Sequence, residues 1–486
     1  MQNRFYFACL KHYYYGLRRF HYGDLQNYNK NTPIIFRDGL KRIHQVYKQN
    51  ILMIFFIPVS LLFFTHGVES NNLTISTHSG YFIFFNDVPW TTTALILASI
   101  FSGSLFCYCI DRLGRRFGIY VIVLLQGVSC VPLLLPHSEV SNIILHVLIG
   151  VSTAGLFTCV PIYLREISTI HSRGAMVGLM SFMTAGGYLV KLGLSSESML
   201  YLTVSLVILQ FLFLFTLIET PDYLIKVGKI EVARHNLAKL KCLGADDVYI
   251  DHEIRRLQGE SDRARANGNL VRNRIWRDEM KIGFVQFTTL ILNGSIIFLD
   301  QDKALIQLND DIDPEKKLVP ICLFLGSITC VVLLRILERK YILTAAFSIM
   351  ILSMGTLAVF TQSDLTVRSE RWLPVVALGV LVFGYGLAWA IPTVILTEMF
   401  NFEIRAFLVG VIFTYSQVLR IVHVHTFKYL EDFTGIYTLM YMFSAVNILG
   451  AIYTISAVPE IKMKNVRQIE RQLKRVPLLE FKTVKV

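Results

Sequence analysis

Residues 91–116 read TTTALILASIFSGSLFCYCIDRLGRR. The first twenty carry no charge, and Asp111, Arg112, Arg115 and Arg116 then crowd around Gly114. Twenty apolar residues in a helix are long enough to cross the roughly 30 Å hydrocarbon core of a bilayer. The abrupt charge at the end marks a membrane face, and the glycine marks a tight turn into the next apolar run. The pattern repeats along the chain, at 51–68, 91–110, 117–135, 142–164, 174–194 and 200–218, and again at 281–299, 318–337, 341–360, 374–398, 406–428 and 435–457. Composition agrees: 53% of the 486 residues are hydrophobic, 17% are charged and mean hydropathy is +0.51. A soluble domain carries about 25% charged residues. The expected fold class is an all-α membrane protein of twelve transmembrane helices in two pseudo-symmetric six-helix halves.

The expected organisation is a polar tail over 1–50, a six-helix half over 51–218, a charged loop over 219–280, a second half over 281–457 and a tail over 458–486. Twelve spans place both termini on one side. The segments on that side hold 39 of the 47 Lys and Arg residues, which makes it the cytoplasmic side. The net charge of +12 then reflects topology, and no nucleic-acid partner is expected. The first 50 residues lack the apolar core of a cleavable signal. The eight cysteines fall in spans or cytoplasmic segments, so no disulfide framework is expected. Cys107 and Cys109 read as helix packing, not metal ligands. Asn72-Leu73-Thr74 lies in the first outer loop and is a glycosylation sequon; Asn293-Gly294-Ser295 lies inside a span, where no glycan is expected.

An internal repeat is legible. Asp111–Arg116 follows the second span, and Arg335–Lys340 (RILERK) follows the eighth. Glu166 precedes Arg173 by seven residues near the end of the fourth span, and Glu398 precedes Arg405 by seven near the end of the tenth. Two related halves facing a midplane site are a common plan for transporters. Asp111, Arg115 and Arg116 are placed to pair with Glu166 and Arg173 at neighbouring helix ends, in ion pairs that hold an inward-closed state. The interface is expected to be wet, so that removing the charge of Glu398 costs little stability.

These same motifs resemble the sugar-porter family of the major facilitator superfamily. Asp111–Arg116 is similar to its D-R-x-G-R-R signature, and Pro161, Tyr163, Glu166, Arg173 and Gly174 to P-x-Y-x-x-E-I…R-G. Glu219–Leu224 is similar to P-E-S-P-x-x-L, Gly228 and Ala233-Arg234 to the helical segment after it, and Val458-Pro459-Glu460 to the terminal V-P-E-T-K-G. Glu398, Phe400 and Arg405 match E-I-F-P-x-x-x-R-G, with Asn401 for Pro and Ala406 for Gly. Trp90 resembles the insect trehalose-transporter-like subgroup. The resemblance implies alternating-access transport of a small solute, gating by Asp111, Arg115, Arg116, Glu166, Arg173, Glu398 and Arg405, no cofactor and a plasma-membrane location.

The departures fall where the family binds sugar. Its Q-L in span five is Ser181-Phe182, and its Q-Q-x-S-G-x-N in span seven aligns with Phe287–Asn293, keeping only Asn293. The following Tyr is Phe298; in span ten Pro392 remains but the Trp is Thr393; the span-eleven Trp is about Gln417, and the span-four Arg about His146. A substrate site of Ser181, Asn293, Phe298, Pro392, Thr393 and Gln417 thus offers fewer partners to hydroxyls. Arg420, His423 and His425 suit an anionic or hydroxylated solute better than a neutral sugar if they face the cavity, or reach the outer interface if they do not. Proton-coupled members carry an acid in span one where this chain has Thr65, with His66 beside it as a titratable or structural group. Movement is therefore read as facilitated. No G-x-x-x-x-G-K-[ST] loop for ATP is present. Three readings stand: a facilitative transporter of a hexose or trehalose, a transporter of another small organic solute, and a non-transporting sensor. None is an enzyme.

Overall fold

The computed structural model describes residues 56–69, 90–134, 138–190, 193–266, 273–295, 314–362 and 372–475. Asn72, Phe298 and the tail over 1–50 lie outside the described residues. The regular elements within them are all helical. The first half consists of α1 (Phe56–Glu69), α2 (Trp90–Leu113), α3 (Arg115–Leu134), α4 (Glu139–Ile167), α5 (Arg173–Val190) and α6 (Ser196–Phe213). Three short polar helices follow: α7 (Pro221–Lys226), α8 (Ile230–Lys241) and α9 (Val248–Ala266). The second half runs α10 (Arg274–Leu292), α11 (Pro314–Ile336), α12 (Arg339–Gln362), α13 (Trp372–Ala388), α14 (Ile391–Met399), α15 (Phe402–Thr434) and α16 (Ile436–Ala457), and α17 (Val466–Arg475) closes the described chain. Helices α13 and α14 form one span, and nine spans among the described residues are long and apolar enough to cross a membrane unaided. Helices α1, α5 and α10 complete the twelve. Charged residues fill the first turns of α10, and glycine, serine and threonine dilute α5, so both depend on the bundle around them.

Local sequence sets the ends. Ser138 caps α4 by accepting the Ser141 N–H, with Glu139 in the first turn; Asn401 caps α15 by accepting the Glu403 N–H at 3.1 Å. Gly114 turns the chain between α2 and α3 at φ +111°, and a Cβ there would collide with the Glu219 carboxylate.

Packing repeats between the halves. Helix α2 lies along α4 as α11 lies along α13, and α3 along α6 as α12 along α16. The halves meet where α2 packs on α15 and α5 on α11. Lipid offers no hydrophobic drive for such contacts, so close approach by small residues matters. Gly150 of α4 lets the Leu95 carbonyl of α2 approach, and Gly386 of α13 does the same for the Leu323 carbonyl of α11.

Three boundaries differ from expectation. Span ten is broken after Ala388, because Pro392 has no N–H for the Ala388 carbonyl and its ring crowds that carbonyl. Helix α10 starts at Arg274, seven residues before the apolar run. Helix α15 has 33 residues, about 50 Å, and so outruns the hydrocarbon core.

Candidate functional site

At the end of the bundle that carries α7–α9, charged side chains are removed from water and can persist only if paired. Arg115 and Arg405 are fully buried. Arg115 Nε lies 3.3 Å from Glu166 Oε2, and Arg405 Nη1 lies 3.0 Å from Glu166 Oε1. One carboxylate of the first half thus holds a guanidinium from each half. Arg405 also donates from Nε and Nη2 to the Phe400 carbonyl. Arg115 lies 4.9 Å over the Tyr223 ring and 3.5 Å from Asp111. Asp222 of α7 accepts from Arg165 at 2.9 Å and stands 3.7 Å from Arg405. Lys226 donates to both oxygens of Asp111 and to the Glu403 carbonyl, which ties α7 to α2 and α15. In the second half Arg339 donates to Glu398 at 2.8 Å, repeating the Arg115–Glu166 pair. Both of its members are buried, so the interface is dry there and not wet as the sequence led us to expect.

Glu219 organises the start of α3. Its carboxylate accepts the backbone N–H groups of Arg115 and Arg116 at 3.0–3.3 Å, and that of Thr220 at 3.1 Å. A carboxylate at the positive end of a helix is favoured. Burial nonetheless pushes its pKa above the ordinary carboxylate value, against the pull of these amides and of Arg115.

The other two proposed gate residues are placed differently. Arg116 contributes its N–H to Glu219, but its side chain turns to Tyr120, donating to the hydroxyl and lying 5.1 Å over the ring. Arg173 makes no ion pair among the described residues, and its Nε is buried without a hydrogen-bond partner. Asp222, Arg165, Arg339, Lys226 and Glu219 were not among the gate residues read from the sequence. Asp222 and Glu219 stand in the quoted ETPDYL motif and Arg339 in RILERK, but nothing local shows which partner each meets.

The residues proposed for substrate spend most of their polar atoms locally. The Ser181 hydroxyl donates to the Gly178 carbonyl at 2.9 Å. Asn293 is fully buried; it accepts the Ser295 N–H at 2.9 Å and donates to the Met350 sulfur at 3.6 Å. Pro392 and Thr393 are buried in the first turn of α14. Gln417 is partly exposed, and its Oε1 is a buried atom with no hydrogen-bond partner. His146 is buried, with Nδ1 2.6 Å from the Asn142 carbonyl. His425 meets Thr93 at 3.1 Å, and His423 packs edge-on against Phe443. Thr65 accepts from Gln210 at 2.6 Å.

At mid-depth, aromatic rings gather where α1, α4 and span ten meet. Phe157 contacts Phe63, His66 and Trp389 at centroid distances of 5.7, 5.9 and 6.0 Å, and Trp389 stacks on Tyr385 at 6.2 Å. Trp389 escaped the sequence reading because the comparison fell on Thr393, four residues later.

The profile described as "Sugar (and other) transporter" matches residues 68–473. The chain is 24% identical over 436 residues to the probable metabolite transport protein CsbC of Bacillus subtilis (strain 168), covering 82% of this chain and 90% of that one. It is 24% identical over 412 residues to the facilitated trehalose transporter Tret1 of Bombyx mori, covering 80% and 79%. Its fold is similar to that of the E. coli proton:xylose symporter XylE bound to 6-bromo-6-deoxy-D-glucose, with a TM-score of 0.72, 17% identity and coverage of 88% and 100%.

Proposed function

The chain belongs to the Sugar (and other) transporter family, and from that premise we propose that it is a facilitative, alternating-access transporter of a sugar such as a hexose or trehalose. It works in the plasma membrane with both termini cytoplasmic and performs no covalent chemistry. The observation that carries this reading is Glu166, buried between Arg115 of its own half and Arg405 of the other. A static scaffold does not need a buried charge shared across a boundary between two packed halves. A two-state machine does, because the pair is made in one state and broken in the other. Asp111, Arg115, Glu166, Glu398 and Arg405 act in this gate, joined by Asp222, Arg165, Lys226 and Arg339. Arg116 and Arg173 serve it from its edge. The names of the trehalose-transporting relatives support the substrate class. The uncharged Thr65–Gln210 pair supports facilitated movement.

The local hydrogen bonding of Ser181 and Asn293 favours a second reading, transport of another small organic solute on the same scaffold. Uptake of labelled D-glucose and trehalose into proteoliposomes, with and without unlabelled sugar inside, separates the two. Saturable uptake accelerated from the trans side is the expected result. Failure with both sugars alongside uptake of a different solute selects the second reading.

A further inference from the structure

The segment after the last span folds back under the second half. Helix α17 lays one face, formed by Val466, Ile469 and Leu473, against α10 and α14, and all three residues are buried. Val458 and Ile461, just before it, join the same core. Lys462 donates to the Ile336 carbonyl in the turn between α11 and α12, and Arg467 stands 4.0 Å from Glu260 of α9. Both members of the second-half gate pair are braced in this way. Glu398 lies on α14, and Arg339 opens α12 directly after that turn.

Two contacts across this seam bring acid to acid. The first is at Glu279, in the second turn of α10. It is 1% exposed, and neither of its carboxyl oxygens has a hydrogen-bond partner among the described residues. The charges that face it are Glu470 of α17 and its neighbour Asp278, both acidic. Asp278 is itself engaged by Lys281 at 3.3 Å and Arg274 at 3.7 Å. Of the other helices packed on α10, α14 turns Glu398 to Arg339, α15 turns Arg405 to Glu166 and Glu403 to Arg265, and α16 brings Tyr453 near Asp278. A carboxyl group so placed keeps its proton, because a charge there would be buried and uncompensated. Burial first, and the two like charges second, hold the Glu279 carboxyl well above the ordinary carboxylate range. Glu279 precedes the apolar run that begins at residue 281, so its proton exchanges with the face that carries α7–α9.

The second contact is between Glu338, in the α11–α12 turn, and Glu460, whose carboxyl groups share a hydrogen bond. Two carboxyl groups can do so only when one of them is protonated and donates. Glu338 Oε2 is buried and meets no other donor. The bond raises the pKa of Glu338 and lowers that of Glu460, which places the proton on Glu338. Lys464, 2.8 Å from Glu460, and Lys340 are the cations that face the pair, while Arg335 at the end of α11 is exposed.

We propose that Glu279 and Glu338 are proton-binding sites that lock segment 458–475 beneath the second half, and that their deprotonation releases it and frees the gate. Docked, each carboxyl group holds one proton; released, each gives that proton to water. The lock is complete below the ordinary carboxylate pKa of 4.5 and is lost as pH rises through the raised native values. An alkaline cytoplasm should therefore favour opening of the inner gate. The docking is independent of the sugar reading, and its effect on uptake rests on the gate reading above.

The test is hydrogen exchange of residues 466–475 in the purified full chain, expressed as protection over the intrinsic rate between about pH 5 and 9, where protection should fall by up to about tenfold per pH unit for each proton released. Glu279→Gln supplies a neutral group, so α17 should stay protected with a shallower fall. Adding Glu338→Gln should flatten the fall. Glu470→Gln removes a like charge from α17 without touching the buried site, so it should shrink the fall even if Glu279→Gln does not fold. In proteoliposomes, wild-type uptake of D-glucose or trehalose should rise with pH on the cytoplasmic side, and Glu279→Gln should weaken that dependence. Protection independent of pH in the wild type, or a fall equally steep in Glu279→Gln and Glu470→Gln, overturns the lock. So does loss of protection at every pH in Glu279→Gln, which would mean a charged carboxylate held by a cation. Uptake independent of pH while protection falls overturns the link to the gate. A wild type that takes up neither sugar yet loses protection as pH rises keeps the lock and removes the sugar reading.

Discussion

Arg405 Nη1 lies 3.0 Å from Glu166 Oε1, whereas the repeat-related residues Arg173 and Glu398 make no ion pair with each other. The two halves are thus joined by one of two symmetry-equivalent charge contacts. The asymmetry has a physical source: Glu166 neutralises Arg115 and Arg405 together, while among the described residues Glu398 pairs only with Arg339.

Glu166→Gln should therefore be the more damaging of the two Glu substitutions. It removes the nearest carboxylate from two buried guanidinium groups, Arg115 and Arg405, and Glu398→Gln removes it from one, Arg339. Breaking a buried pair costs about 3–5 kcal/mol. Thermal unfolding in detergent should show a clearly lower midpoint for Glu166→Gln than for Glu398→Gln. Equal midpoints would mean that Arg405 is stabilised by the Phe400 carbonyl and Asp222 instead.

Glu398→Gln should reduce sugar uptake and also lower the unfolding midpoint, since Arg339 is only 3% exposed. Replacing both partners, as Arg339→Met with Glu398→Leu, should recover part of the lost stability, because no charge is left buried. Transport should stay low in the double variant. Full recovery of uptake would assign the pair to folding alone.

Glu219 makes stability depend on pH. Its native pKa is raised by burial above the ordinary 4.5, so the native state binds the proton more tightly than the unfolded chain. The contribution is complete below the ordinary value and is lost as pH rises through the raised one. The unfolding midpoint should fall with pH across that window, and Glu219→Gln should flatten the fall. A midpoint rising through the same window would show that the three backbone N–H donors outweigh desolvation.

Thr393→Trp would restore an indole where the family carries one, yet it should destabilise this protein. The site is in the first turn of α14, a helix whose every residue is buried. Overpacking costs about 1–3 kcal/mol. Reduced surface expression without improved sugar affinity is the expected outcome, and improved affinity would place the sugar beside Thr393.

Asn72→Gln should remove the only mobility shift produced by glycosidase on the full-length protein, and tags at both termini should be digested only after the membrane is opened. A terminal tag cleaved on intact cells would reverse the proposed orientation.

The spans, their number and their grouping into two halves were legible in the chain. Hydrocarbon imposes a length of about 20 residues and forbids unpaired backbone, so apolar runs translate directly into helices. The Glu–Arg spacing of seven was legible for the same reason, being a property of a helix end and the turn after it. The break at Trp389–Ala390 was half legible. Pro392 was visible, but a proline can be absorbed in a helix, as Pro161 is in α4. What the sequence could not determine was partnership. Arg116 and Arg173 have the same local credentials as Arg115 and Arg405, and only packing turned one pair toward Glu166 and the other away. Asn293 read as a sugar ligand, but the fold turns its amide to the neighbouring Ser295 N–H and to the Met350 sulfur, and the contact of Trp389 with Phe157 of the other half has no sequence signal. Residues more than 200 positions apart meet through the pseudo-twofold docking of the halves. That docking depends on close, mutual fit along α2–α15 and α5–α11, a property of surfaces that exist only after the helices have formed.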